Sequence, residues 1–133
     1  MSVAKTMAKR SKDPDTQVGA VLVSPDNRQS AVGYNGFPTG IKDTAERWQR
    51  PTKYDICIHA EENAIANCVT RPDGWTLFIT LAPCKSCLRI IIQSGIKKVI
   101  FKEESERYGV DAIKGLAEEA GVKLIKFSET DLK

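Results

Sequence analysis

Apolar residues fall in short blocks whose spacing switches between strand-like and helix-like along the chain. Residues 17–23 (Gln-Val-Gly-Ala-Val-Leu-Val) form a nearly continuous apolar run, short enough and rich enough in valine to predict a buried strand. Pro25-Asp26-Asn27 predicts a turn, and residues 29–34 return as a second strand, giving a hairpin. Upstream, residues 2–12 are built from Ala, Lys, Met and Arg and predict a helix that Asp13-Pro14 ends, because proline lacks the amide proton and restrains the residue before it. Residues 59–69 predict a helix with Ala64, Ile65, Cys68 and Val69 inward, stopped by Arg71-Pro72-Asp73-Gly74. Three strands follow, at 75–81, 97–101 and 122–127, separated by helices over 84–94 and 110–120 that end at Gly95 and Gly121. In the last strand Val122, Leu124 and Phe127 are the inward-facing candidates. Residues 35–57, rich in Gly, Pro and charge, are the one long irregular stretch, and loops of that length are commonly functional.

The order is helix, hairpin, helix, then strand-helix-strand-helix-strand. Strands separated by helices call for parallel pairing with right-handed crossovers. The expected fold is therefore α/β: a three-layer α/β/α sandwich with a mixed five-stranded sheet, in a single domain over residues 1–133. Composition changes this little. The chain has 133 residues, 41% hydrophobic and 28% charged, an ordinary globular balance. No apolar run approaches the ~20 residues of a membrane span, and the first residues lack the apolar core of a signal peptide, so a cytoplasmic protein is expected. A net charge of +3 suits a small anionic ligand and is too weak for a polynucleotide binder. The cluster Lys5, Lys9, Arg10 and Lys12 reads as the wet side of the first helix.

Four cysteines and one histidine bring in the chemistry. In a reducing compartment disulfides are not expected, so a close thiol pair points to metal binding or catalysis. Pro83-Cys84-Lys85-Ser86-Cys87 puts two thiols three residues apart at a helix start. That spacing sets both sulfurs on one face of the first turn, and the helix N-terminus favours thiolate. With His59 they make three zinc donors, leaving a fourth position for water, as in catalytic zinc sites. Glu61, two residues after His59, is placed to carry protons for that water. Taken separately, each signal has a plainer reading: the thiol pair as a redox pair or half of a structural zinc knuckle, His59 as a structural histidine. Cys57 and Cys68 read as buried small apolar residues, Cys57 lying near the site.

His-x-Glu followed by Pro-Cys-x-x-Cys is the signature of zinc-dependent nucleobase deaminases. The chain resembles the cytidine deaminase-like superfamily, and within it the deoxycytidylate (dCMP) deaminases. The resemblance is carried also by residues 11–20 (Ser-Lys-Asp-Pro-Asp-Thr-Gln-Val-Gly-Ala), Gly33-Tyr34-Asn35-Gly36-Phe37-Pro38, residues 59–65 and residues 94–99.

The resemblance implies that His59, Cys84 and Cys87 bind catalytic Zn2+ and that Glu61 is the general acid/base in hydrolysis of dCMP to dUMP and ammonia by zinc-activated hydroxide. It implies that backbone groups of Ala60 and Cys84 meet the polar edge of the base. Asn35 is the candidate for the sugar hydroxyl, or else a turn residue beside Gly36; Phe37 packs near the substrate or within its loop. For the phosphate the candidates are Lys42, Arg107 and Tyr108, with the stretch around Arg107 and Tyr108 more acidic than the resemblance leads one to expect. Many such enzymes are homohexamers, activated by dCTP with Mg2+ and inhibited by dTTP; Lys12, Asp13, Tyr34, Glu62 and Asn63 are candidates for such an allosteric pocket. With the single histidine used, no donor set remains for the second, structural zinc of some relatives. Two other readings are a different deaminase of the superfamily, acting on tRNA adenosine or free cytidine, and a zinc-stabilised interaction module without catalysis. The second has no use for Glu61.

Overall fold

The computed structural model describes residues 1–105 and 109–128. Its elements in chain order are α1 (Ser2–Ala8), β1 (Gly19–Val23), β2 (Ser30–Tyr34), α2 (Thr52–Ile56), α3 (Ala60–Asn67), β3 (Thr76–Leu81), α4 (Lys85–Gln93), β4 (Lys98–Glu103), α5 (Asp111–Ala120) and β5 (Lys123–Lys126). The strands form one five-stranded sheet in the order β2-β1-β3-β4-β5. β1 pairs antiparallel with both β2 and β3, while β3–β4 and β4–β5 are parallel. The mixed sheet expected from the element order is thus present.

Strand register decides which helix lies on which face, because residues directly opposite on neighbouring strands share a face. Ala20 stands opposite Gly33 and Ile79, Leu22 opposite Leu77, Leu77 opposite Val99, and Ile79 opposite Phe101. These residues form one core with Ala60 and Ala64 of α3, Leu88 and Ile91 of α4, and Ile113 and Ala117 of α5. Three helices therefore cover one face. Gly19, of opposite parity, turns to the other face, where a side-chain carbon would lie 2.0 Å from the Ala4 carbonyl oxygen of α1. Gly33 does the same for α3: a Cβ there would sit 2.4 Å from the Ala64 nitrogen. Two glycines, one per face, thus let helix backbone lie against sheet backbone.

Two boundaries differ from the sequence reading. The first helix closes at Ala8, where Arg10 N–H and Ser11 N–H turn back to Met7 and Ala8 carbonyls. Ser11 then leaves the helix to donate its hydroxyl to the Asn35 carbonyl. α3 ends at Asn67, since Cys68 adopts extended backbone angles (φ −72°, ψ 129°). The helical register is lost there, so Val69, expected inward, is 95% exposed. Cys68 and Ile65 pack at the edge of the core. α2, inside the stretch read as irregular, was not anticipated.

All the connections at one end of the sheet converge. The residues before β1, after β2, after β3 and after β4 emerge at the same rim, because β1 runs opposite to its neighbours. Crevices outside the carboxyl ends of strands are the usual ligand sites of α/β sheets.

Candidate active site

A cavity of about 780 Å³ opens at that rim. Its walls are Asp15, Thr16 and Val18 ahead of β1, Asn35 after β2, Arg50, Lys53 and Tyr54 from α2 and its approach, and Glu103, Glu104 and Ser105 after β4. His59, Ala60, Glu61, Leu81, Ala82 and Cys84 complete the lining.

His59 is the N-cap of α3, extended at φ −78° and ψ 159°, and the Glu62 carboxylate accepts its backbone N–H at 3.1 Å, half of a capping box. Cys84 is the N-cap of α4, also extended, with Cys87 one turn on and buried. The two helix starts face one another. His59 Nδ1 lies 2.9 Å from Cys87 Sγ and 3.6 Å from Cys84 Sγ, and the three donor atoms fall within 4.8 Å of one another.

The electrostatics of this trio fit a dication. The Cys84 thiol is lowered to about 3, first by a hydrogen bond from Cys87 and then by His59. The Cys87 thiol is pushed far above its ordinary range, first by donating to Cys84 and then by burial. His59 is raised to about 9, first by its hydrogen bond with Cys84. The three groups thus share protons among themselves, and a metal ion bound by all three takes the place of those protons. One nitrogen and two sulfurs at this separation are a zinc donor set.

Beside it, Glu61 is 4% exposed. Burial is the main cause that pushes its carboxyl up to about 7, near the value at which a carboxyl exchanges protons in both directions at neutral pH. The site thus brings together a metal donor set, a buried proton carrier and a cavity on one rim.

The family model for the cytidine and deoxycytidylate deaminase zinc-binding region matches residues 1–103. The chain belongs to this family. A human deoxycytidylate deaminase is 41% identical over 136 residues, covering 96% of this chain and 76% of that protein. A probable deoxycytidylate deaminase of Caenorhabditis elegans is 43% identical over 126 residues, covering 90% of this chain and 64% of the worm protein, so the chain spans under two thirds of that relative. The solved dCMP deaminase of cyanophage S-TIM5, in complex with dCMP and dUMP, superposes with a TM-score of 0.76 at 29% identity, covering 95% of this chain and 92% of that one.

Of the residues singled out in the sequence, the fold gathers His59, Cys84 and Cys87 at one centre, with Glu61 and Ala60 in the adjoining cavity wall. Asn35 also lines the cavity, but its amide is engaged. Nδ2 donates to the Thr16 carbonyl (2.8 Å) and Asp13 Oδ2 (3.3 Å), and Oδ1 accepts from Val18 N–H (2.8 Å). One lone pair of Oδ1 remains for a ligand hydroxyl. Phe37 lies outside the lining, stacked on Trp48 at 4.2 Å between ring centroids, which is the loop-packing alternative. Lys42 is exposed and also outside the lining. Arg107 and Tyr108 fall outside the described residues.

The regulatory candidates are each engaged within the fold. Lys12 pairs with Asp43 at 3.3 Å. Asp13 is buried against Lys53. Asn63 donates to the Tyr34 carbonyl, and Glu62 holds the His59 amide. Cys57 is half-buried, its thiol raised to about 11 chiefly by burial.

Sequence reasoning missed the α2 wall. Lys53 is 5% exposed, with its ammonium on Asp15 (2.8 Å) and Asp13 (3.1 Å). The signal available was indirect: a lysine amid Pro51-Thr52-Lys53-Tyr54, about forty residues from two aspartates, has no local pattern to mark its burial.

Proposed function

We propose that this protein hydrolyses dCMP to dUMP and ammonia, with zinc held by His59, Cys84 and Cys87 and protons carried by Glu61. The observation that carries this reading is the meeting of the three donors beside a buried carboxyl at the wall of one cavity. Zinc, when bound there, supplies a water acidic enough to ionise near neutral pH. Glu61 takes one proton from the attacking water and passes it to N3 of the cytosine ring. It takes the second and delivers it to the departing amino group. The water oxygen becomes the C4 carbonyl oxygen, and the amino group leaves as ammonia. The backbone of Ala60 and Cys84, at the two helix starts, orients the base edge, and Asn35 offers its remaining lone pair to the sugar hydroxyl. The human relative is a deoxycytidylate deaminase and the cyanophage dCMP deaminase is solved in complex with dCMP and dUMP, which supports the choice of substrate.

The same proposal includes regulation by dCTP with Mg2+ as activator and dTTP as inhibitor, through Lys12, Asp13, Tyr34, Glu62 and Asn63, and a homohexameric assembly. Its support is the likeness of the segments that carry these residues; turnover unchanged by either nucleotide removes the regulatory part. A cytoplasmic location belongs to the same proposal, because a zinc donor set that includes two thiolates is kept reduced there; among the described residues no helix is long and apolar enough to cross a membrane.

The decisive assay measures ammonia and dUMP formed from dCMP, beside cytidine and a tRNA stem-loop, for the zinc-loaded protein, the chelated protein and Glu61→Ala. Glu61→Ala is expected to keep its zinc and lose about 10²- to 10⁴-fold in turnover, and chelation to abolish activity until zinc is restored. No turnover of dCMP by the zinc-loaded protein overturns the assignment.

A further inference from the structure

We propose that Arg50 reads the 5′-phosphate and makes the enzyme select nucleotide over nucleoside. This inference rests on the proposed dCMP substrate and names the group that recognises its charged end.

A phosphate monoester needs a cation or converging N–H groups. Apart from the donor His59, the basic side chains lining the cavity among the described residues are Arg50 and Lys53. They are not equivalent. Lys53 is buried and bound to two carboxylates, Asp15 at 2.8 Å and Asp13 at 3.1 Å. Turning it toward a ligand would leave those acids without their partner, at a cost that buried charges do not meet easily. Arg50 is half-exposed, with one terminal nitrogen 3.5 Å from Asp15 Oδ2, a weak, solvent-screened contact. A guanidinium presents five donors in a planar fork, so one nitrogen on Asp15 leaves other N–H groups for a phosphate.

The surroundings aim the group. Asp15 is shared between Lys53 and Arg50, so its charge is already offset by the buried ammonium. It tethers the arginine more than it repels an incoming anion. The guanidinium also lies 5.8 Å from the centroid of the Tyr54 ring, an arrangement that restricts its rotamers. The far wall carries Glu103 and Glu104, which disfavour an anion there. Both observations put the phosphate on the α2 side of the cavity.

The test compares kcat/KM for dCMP and for deoxycytidine in the zinc-loaded wild type, Arg50→Ala and Arg50→Lys, with zinc content and Tm recorded for each. Binding of dUMP and deoxyuridine is measured alongside by calorimetry. Arg50→Ala is expected to lose about 10- to 100-fold toward dCMP, mainly through KM, the size of a charge-assisted contact. Deoxycytidine turnover should stay within about twofold, and dUMP should weaken where deoxyuridine does not. Arg50→Lys should recover part of the loss, keeping charge without the fork. Equal loss on nucleotide and nucleoside, or no loss on either, overturns the proposal. If wild type fails to turn over dCMP, the reaction assignment falls, and the dUMP-against-deoxyuridine comparison still decides the role of Arg50.

Discussion

Lys53 is a buried lysine in the cavity wall, paired with two aspartates. Its ammonium holds Asp13, and Asp13 in turn accepts the backbone N–H groups of Asp15 (2.8 Å) and Thr16 (3.2 Å) and the Asn35 amide. The turn that forms one wall of the cavity is thus hung from one buried charge. Burial alone would lower the Lys53 pKa, but hydrogen bonds to Asp15 and Asp13 outweigh it and raise the value above 10.5. A raised amine stabilises the fold fully below its unfolded value and loses that contribution as pH rises through the folded one. The contribution of the raised Lys53 amine is therefore constant across neutral pH and is lost in the alkaline window above 10.5. Lys53→Met strands two carboxylates and should cost about 3 kcal/mol, read as a lower urea midpoint at pH 7. Much of that cost should return in Asp13→Asn/Lys53→Met, because the buried Asp13 charge is then gone, while Asp15 is half-exposed and keeps Arg50. A single-variant loss that persists in full in the double variant would show that the pair does not act as a unit.

At the scale of elements, the position of α3 depends on what the sheet lacks. Gly33 leaves room for the Ala60 carbonyl and the Ala64 nitrogen at distances where a methyl group cannot fit, 2.6 and 2.4 Å. Both contacts are backbone, so the helix itself must move if a side chain appears. Gly33→Ala should cost about 1–3 kcal/mol by overpacking, and should also weaken zinc retention, since His59 and Glu61 ride on the first turn of the same helix. Zinc affinity measured against a chromogenic chelator checks this; a variant that loses stability with unchanged affinity would disconnect the packing from the metal site.

The same scale shows why some elements were legible in the sequence and others were not. β1, β3 and β4 announce themselves because they are buried on at least one face and bounded by turn residues, and α4 and α5 because glycines at φ 86° and 77° stop them. His59, Glu61, Cys84 and Cys87 were legible because each pair is local: two residues apart and three residues apart on single helix starts. What escaped depends on tertiary partners. α2 has five residues, too few to show a period. The burial of Lys53 and the cavity position of Arg50 follow from aspartates more than thirty residues earlier, and Val69 was misplaced because the helix gave way two residues before it.

Taken as a whole, the molecule keeps its chemistry on one rim and packs helices on both faces of the sheet, α3, α4 and α5 on one and α1 on the other. The turn of the β1–β2 hairpin and the connections into β3, β4 and β5 lie at the opposite rim, away from every residue that lines the cavity. Zinc donors drawn from α3 and α4 therefore span β3, and they join the chain to itself. An ion gripped by His59 at one end and by Cys84 and Cys87 at the other is a reversible crosslink, enclosing all of α3 and β3 in a covalent-and-coordinate ring. A ring of that size removes freedom from the unfolded chain, on the order of 3 kcal/mol by analogy with a disulfide. The metal would then be a folding element as well as a reagent. Chelation should lower Tm and speed hydrogen exchange most sharply in α3, and His59→Ala should give the chelated Tm even with zinc present. An unchanged melting temperature on metal removal would mean that the sandwich holds its shape unaided.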